Sequence, residues 1–196
     1  MTTIKFWGDS DLLKKILLLF LFVSLGDLKP VEDKAQCYNL TFTQFQLYGC
    51  ETDRMKIRFD MAKQLGYQMV LLPGNEQDAT ASEVFFAVKG YPLQQTYLQD
   101  HADDLALVAQ NPQVAVLQAD IISPFKNLKN CVGSELVIGG SMFAHEIYFT
   151  CESESKNFGI IFVFQAKNKK SRNEYLPEFI TWVEPHILKD PAPKKK

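Results

Sequence analysis

The sequence predicts an α+β fold in which a long central helix and a C-terminal helix cover an antiparallel sheet. Three observations predict it. Apolar residues alternate at period two over most of the chain from Cys37 onward. One segment, Leu93 to Gln110, switches to helical spacing. Strand-like runs lie on both sides of that helix, and a last helical segment follows them, a grouping typical of α+β rather than of alternating parallel units.

The chain opens with a segment outside this scheme. Ile16 to Leu25 is an apolar run with one polar member, Ser24. It is too short to span a bilayer, which takes roughly 20 apolar residues, but it suits the apolar region of a secretory signal. Lys14 and Lys15 precede it, and Ser24 and Gly26 stand at the −3 and −1 positions for cleavage after Gly26. Residues 1–26 are therefore expected to be a signal peptide, with a buried N-terminal helix as the competing reading. Asp9 and Asp11 are unusual ahead of such a run. They suggest that residues 1–12 lie upstream of the true start, at Leu13.

The 196 residues are 46% hydrophobic and 22% charged, an ordinary globular composition. Residues 1–26 hold three Lys and two Asp, so the chain after Gly26 carries a net charge of −3 rather than −2. A nucleic-acid partner is not expected at that charge. No stable membrane insertion is expected once the signal is removed. Residues 190–196 end in three lysines and read as a solvated basic tail.

Export implies an oxidising compartment, so Cys37, Cys50, Cys131 and Cys151 read as disulfide partners. Four cysteines allow three pairings. The sequence-local one joins Cys37 to Cys50 and Cys131 to Cys151, each across a hairpin. Zinc is the rival, with His145 near Cys131 and Cys151, but the spacings match no CxxC or HxxxH pattern.

In order, residues 27–55 form an N-terminal strand or hairpin segment, and 56–189 form the main domain. CYNLTFTQFQLYGC alternates and is rich in Phe, Tyr and Thr. Ile57, Phe59 and Met61 recur at period two, and Tyr67 to Leu72 resume the pattern after Gly66, which reads as a hairpin ending at Pro73-Gly74. SEVFFAVKGYP is a short apolar strand. The central helix then places Tyr97, His101, Leu105 and Val108 near one face. His101 on that stripe reads as a packed residue, and Asn111-Pro112 ends the helix. Val114 to Ile122, Ser134 to Cys151 and Phe158 to Lys167 are strand-like, the middle run turning at Gly139-Gly140. FGIIFVFQAK is apolar on both faces and so is a central strand. NKKSRN reads as a loop. Asn173 would cap the last helix, with Pro177 in its first turn and Leu176, Phe179 or Ile180, Val183 and Ile187 as its buried stripe. Pro185 would kink or end it.

This order of elements resembles the PsbP-like group, which includes small exported bacterial proteins of the DcrB type. The likeness rests on Gly66-Tyr67, on SEVFFAVKGY before TYLQDHADDLALVAQ, on HEIYFTCES with FGIIFVFQAK, and on YLPEFITWV. It spans about Lys56 to Leu188. The resemblance implies a layered sandwich and a binding or assembly-support role, and it brings no catalytic residues.

No GxSxG, Walker, GxGxxG or HExxH motif is present. Gly139-Gly140-Ser141 lies among strands and reads as a turn. Asp103-Asp104 and Glu152/Glu154 read as solvated carboxylates. No cofactor and no metal site is expected. Tyr91, Tyr97 and Trp182 are candidate ligand contacts, because they sit at element ends or helix borders. The expected function is that of an exported, periplasmic or secreted, non-catalytic binding or accessory protein. Its partner would be another protein or a small apolar ligand. The alternatives are an immunity-type inhibitor, a secreted factor acting on another cell, and a small hydrolase with an unrecognised site. A binder should expose an apolar patch or groove, an inhibitor an acidic face, and a hydrolase converging polar groups in a cleft.

Overall fold

The computed structural model describes residues 30–31, 36–41, 46–74, 76, 78–125, 128, 130–153, 157–184 and 188–189. The expected signal peptide, the basic tail, Pro185 and Ile187 lie outside them.

The chain is α+β and its strands pair antiparallel throughout the described residues. Strands β1 (Pro30–Val31), β2 (Cys37–Thr41), β3 (Gln46–Cys50) and β11 (Leu188–Lys189) form a small sheet in the order β1-β2-β3-β11. The large sheet holds β4 (Met55–Ile57), β5 (Met69–Pro73), β6 (Val84–Pro92), β7 (Val114–Ile122), β8 (Cys131–Ile138), β9 (His145–Glu152) and β10 (Phe158–Ala166). Its order is β4-β5-β6-β10-β9-β8-β7. Three helices are described: α1 (Phe59–Leu65), α2 (Tyr97–Ala109) and α3 (Lys169–Val183).

Strand alternation divides the core into two layers. Val84, Phe86 and Val88 of β6, with Ile160, Phe162 and Phe164 of β10, face α3 and meet Phe179, Trp182 and Val183. Phe85 and Ala87, with Val163, face the opposite way and meet Met61 and Ala62 of α1 and Leu105 and Val108 of α2. The central helix thus covers one face and the C-terminal helix the other. Leu40 and Leu47 of the small sheet belong to the α3-side core, so the N-terminal segment packs on the main domain.

Two disulfides form, Cys37–Cys50 and Cys131–Cys151. Each joins directly opposed residues of neighbouring strands, with Cα separations of 3.9 and 4.0 Å. That spacing belongs to the close, non-hydrogen-bonded pairs of an antiparallel ladder. The first bridge is tied to α3: the Trp182 indole donates to the Cys50 carbonyl at 2.9 Å. Arg172 fastens α3 to β8 through two hydrogen bonds to Glu135, at 3.0 and 2.7 Å.

At two places a helix stands where the sequence reading had none. The expected hairpin arm through Phe59 and Met61 is helix α1, closed by Gly66 in the left-handed region at φ 77°. That conformation suits glycine and ends a helix, so Gly66 is a helix stop and not a strand break. The second segment is NKKSRN, expected as a loop. Asn168, not Asn173, caps α3 by accepting from the Ser171 amide at 2.9 Å, and the Ser171 hydroxyl donates to Glu83 at 2.9 Å. The helix therefore starts earlier, and Pro177 sits in its interior rather than its first turn.

Each bridge should stabilise the fold mainly by restricting the unfolded chain. Replacing Cys131 and Cys151 together by Ala should lower the unfolding free energy by about 2–4 kcal/mol. Urea titration of the oxidised proteins measures the difference.

Candidate functional site

A cleft of about 280 Å³ opens between the end of β6, the middle of β10 and the first turns of α2. Lys89, Tyr91, Gln95, Asp100, Asp103, Asp104 and Ile161 line it. The strands place the first two. Lys89 pairs with Ile161 and Tyr91 with Gly159, so alternation sends both side chains to the α2 face. Gln68 steadies this stretch, accepting from the Gly90 amide at 2.8 Å and donating to its carbonyl at 3.2 Å.

Gly159 is the sterically decisive residue of the cleft. A Cβ there would lie 2.4 Å from the Tyr91 ring. The missing side chain lets the ring lie across β10, and the phenol then donates to Asp100 at 3.1 Å. The helix supplies the facing wall. Thr96 caps α2 by accepting from the Gln99 amide at 3.2 Å. That start puts Asp100, Asp103 and Asp104 within the first two turns, over the strand ends. Gln95 and Gln99 each donate to Asp103 at 2.8 Å.

The electrostatics follow from this crowding. Burial lowers the Lys89 ammonium below its ordinary value, and the Asp104 charge opposes the drop. Burial raises Asp104, Asp100 and Asp103 raise it further, and Lys89 pulls it back. The two carboxamides hold Asp103 below the usual carboxylate range. Burial and Asp100 push the Tyr91 phenol far up, so it stays a hydrogen-bond donor. With one ammonium against three carboxylates, the cleft suits a ligand that carries a cationic group. Tyr91 and Ile161 offer apolar surface for its body.

A second polar cluster lies beneath α2 and is closed to solvent. His101 is 1% exposed, and Ser134 and Thr150 are 0% exposed. The His101 imidazole sits 2.9 Å from the Ser134 hydroxyl through Nε2 and 3.2 Å from the Thr150 hydroxyl through Nδ1. The Tyr148 ring stands 5.0 Å away. The two hydroxyls come from β8 and β9, so this histidine ties the helix to two strands. Its contact with a serine has the elements of a nucleophile–base pair, yet no substrate reaches a group so enclosed. The packed role expected for His101 is the one observed.

Of the three tyrosine and tryptophan candidates, only Tyr91 lines the cleft. Tyr97 is the first residue of α2 and is half-buried. Trp182 is 2% exposed, packed against Phe86, Phe162 and Phe179. It is a core residue that leaves no face for a ligand. Sequence reasoning does not reach Lys89, Gln95, Asp100 and Asp104 as site residues. Only the helical pair carries a signal: Asp100 and Asp104 flank the stripe Tyr97, His101 and Leu105 at the same four-residue step. Among the described residues no group of His, Cys, Asp and Glu is arranged to hold a metal ion. Nor is any described helix long and apolar enough to cross a membrane.

No family model matches the chain, and no curated protein matches it. Among solved structures it is similar to the Saccharomyces cerevisiae Ran-binding protein Mog1p, whose crystal structure was determined at 1.9 Å. The identity is 12%, the match covers 80% of this chain and 85% of that one, and the TM-score is 0.39. A likeness at that score says nothing about site residues.

Gly159→Ala should displace the Tyr91 ring and break its bond to Asp100. A loss of about 1–3 kcal/mol in urea titration is expected, while Tyr91→Phe, which removes only the hydroxyl, should cost less. The buried histidine sets a pH dependence. Burial lowers the His101 imidazole from its ordinary 6.5, with the Asp120 charge opposing. The unfolded chain then takes up the proton first, so stability should fall as pH drops below 6.5. His101→Gln should flatten that part of the stability–pH profile, as thermal unfolding between pH 7.5 and 5 would record.

Proposed function

We propose that this chain is an exported, disulfide-stabilised binding or accessory protein of the PsbP-like kind. In this reading it works in a periplasm or outside the cell, and it uses the β6–α2 cleft to hold a small ligand with an apolar body and a cationic head. The observation that carries the binding role is the cleft itself, in which Tyr91, Lys89 and the α2 carboxylates converge on a solvent-open cavity of about 280 Å³. Export is supported by the pairing of all four cysteines. The cationic head is an addition to the small apolar ligand expected from the sequence, because three of the seven lining residues are carboxylates.

An immunity-type inhibitor is the second reading. Asp100, Asp103 and Asp104 give α2 a clustered acidic flank that would suit a basic enzyme.

Calorimetric titration of the oxidised protein with phenethylamine and with the uncharged phenylethanol separates the head group from the body. The amine should bind and the alcohol should not. Asp100→Asn with Asp104→Asn should weaken amine binding by at least about tenfold. Equal binding of both compounds, or none, would sink the ligand class proposed for the cleft.

A further inference from the structure

The edge strand β7 carries an unusual surface. Its outer side has no partner strand among the described residues, since the large sheet ends there. Of its nine residues only Val114 and Ile121 are partly buried; the other seven are exposed. Ile122 is 90% exposed, Leu117 57% and Val116 37%. Leu107 of α2, which packs beside β7, is also exposed. These side chains lie on both faces of the sheet. Val116 and Ile122 pair with Leu136 and Val132, whereas Ile121 pairs with Gly133 and packs against the α3-side core.

Edge strands are usually guarded by lysine, proline, an inward-pointing charge or a β-bulge. VAVLQADII has no lysine and no proline, and Asp120 is its one charge. It does have register shifts at 116–118 and 118–121, with Asp120 at φ 53° between the regular ends. Those irregularities break the edge into two short ladders, Val114–Val116 and Ile121–Ile122.

We propose that β7 is a self-association edge, on which a second copy of this chain pairs antiparallel about a two-fold axis at Gln118. The pattern of the strand selects a second copy. Centring the axis on Gln118 sets the regular Val114–Val116 ladder of one copy against residues 120–122 of the other. Val114 then meets Ile122 and Ala115 meets Ile121, apolar against apolar on both faces. The irregular middle of one strand faces the irregular middle of the other. The two Asp120 carboxylates lie opposite Val116 residues and away from each other, so the pairing brings no like charges together. To a strongly charged partner edge this strand offers only Asp120 as a charged side chain. The interface is isologous and closed, so assembly stops at a dimer. It is small and ladder-limited, which predicts a dissociation constant on the order of 10–100 µM.

Sedimentation velocity of the full chain with both disulfides formed tests the proposal across about 1–500 µM, a range bracketing that constant. A monomer–dimer equilibrium is expected. Leu117→Lys should weaken it at least about tenfold by bringing like charges to the axis. Leu65→Lys, the same change on exposed α1, should leave it unaltered. Circular dichroism confirms that both variants fold. A second readout does not depend on stability: Gln118→Cys should oxidise to a covalent dimer, while Gln64→Cys on α1 should stay monomeric. A protein that is monomeric throughout the range overturns the proposal. So does a dimer that survives Leu117→Lys without linking through position 118, or a β7 edge that captures a different protein while the chain itself stays monomeric.

Discussion

The structure depends on one strand being buried on both sides. β10 pairs with β6 along all nine of its residues and with β9 along eight. Ile160, Phe162 and Phe164 fill one layer, and Ile161 and Val163 the other. A strand in that position satisfies its backbone on both edges and demands an apolar cover on both faces. The covers are what fix the rest. α3 must bring Phe179 and Trp182 to one side, and α1 and α2 must close the other. Phe86, Phe164, Phe179 and Trp182 meet as a ring cluster at 5.3–6.1 Å between centroids, which gives the α3 side a large and directional packing contribution.

The two faces are closed by different means. On the α3 side the seal is aromatic and is reinforced by the Arg172–Glu135 pair. On the α2 side the helix buries a single residue, and that residue is His101. Leu105 and Val108 add only partial burial. α2 is therefore held by a polar contact at its centre, by modest apolar packing beyond it, and by the Tyr91–Asp100 bond near its start. The cleft exists because the early turns of this helix are lifted over strand ends that carry Lys89 and Tyr91 instead of further apolar side chains. The charged side chains of the cleft and the modest apolar packing of its helical wall have the same origin.

The large-sheet strands were legible from the sequence because each announces itself at period two or as a doubly apolar run. FGIIFVFQAK could only be central, and it is. The cysteine pairing followed from hairpin spacing. The errors came where two signals overlapped. KIRFDMAKQLG reads equally as alternation and as a short helix, and only the left-handed Gly66 decides between them. NKKSRN looks like a loop because its charges are solvated, but Asn168 with Ser171 three residues on is a capping pair. The site was half legible. Tyr91 stood out as an aromatic at a strand end. Lys89 did not, because its importance comes from the Asp104 charge that acts on it from another element. Trp182 misled because its position near a helix end concealed how completely the Phe86 and Phe162 rings enclose it.

The two bridges follow one another along the chain without overlapping. Neither loop encloses the other, and the partners are separated by only 13 and 20 positions. Any wrong pairing must join a cysteine of the first hairpin to one of the second, at least about 80 residues away, with a higher entropy of closure. Closure entropy therefore favours the native pairing over either alternative.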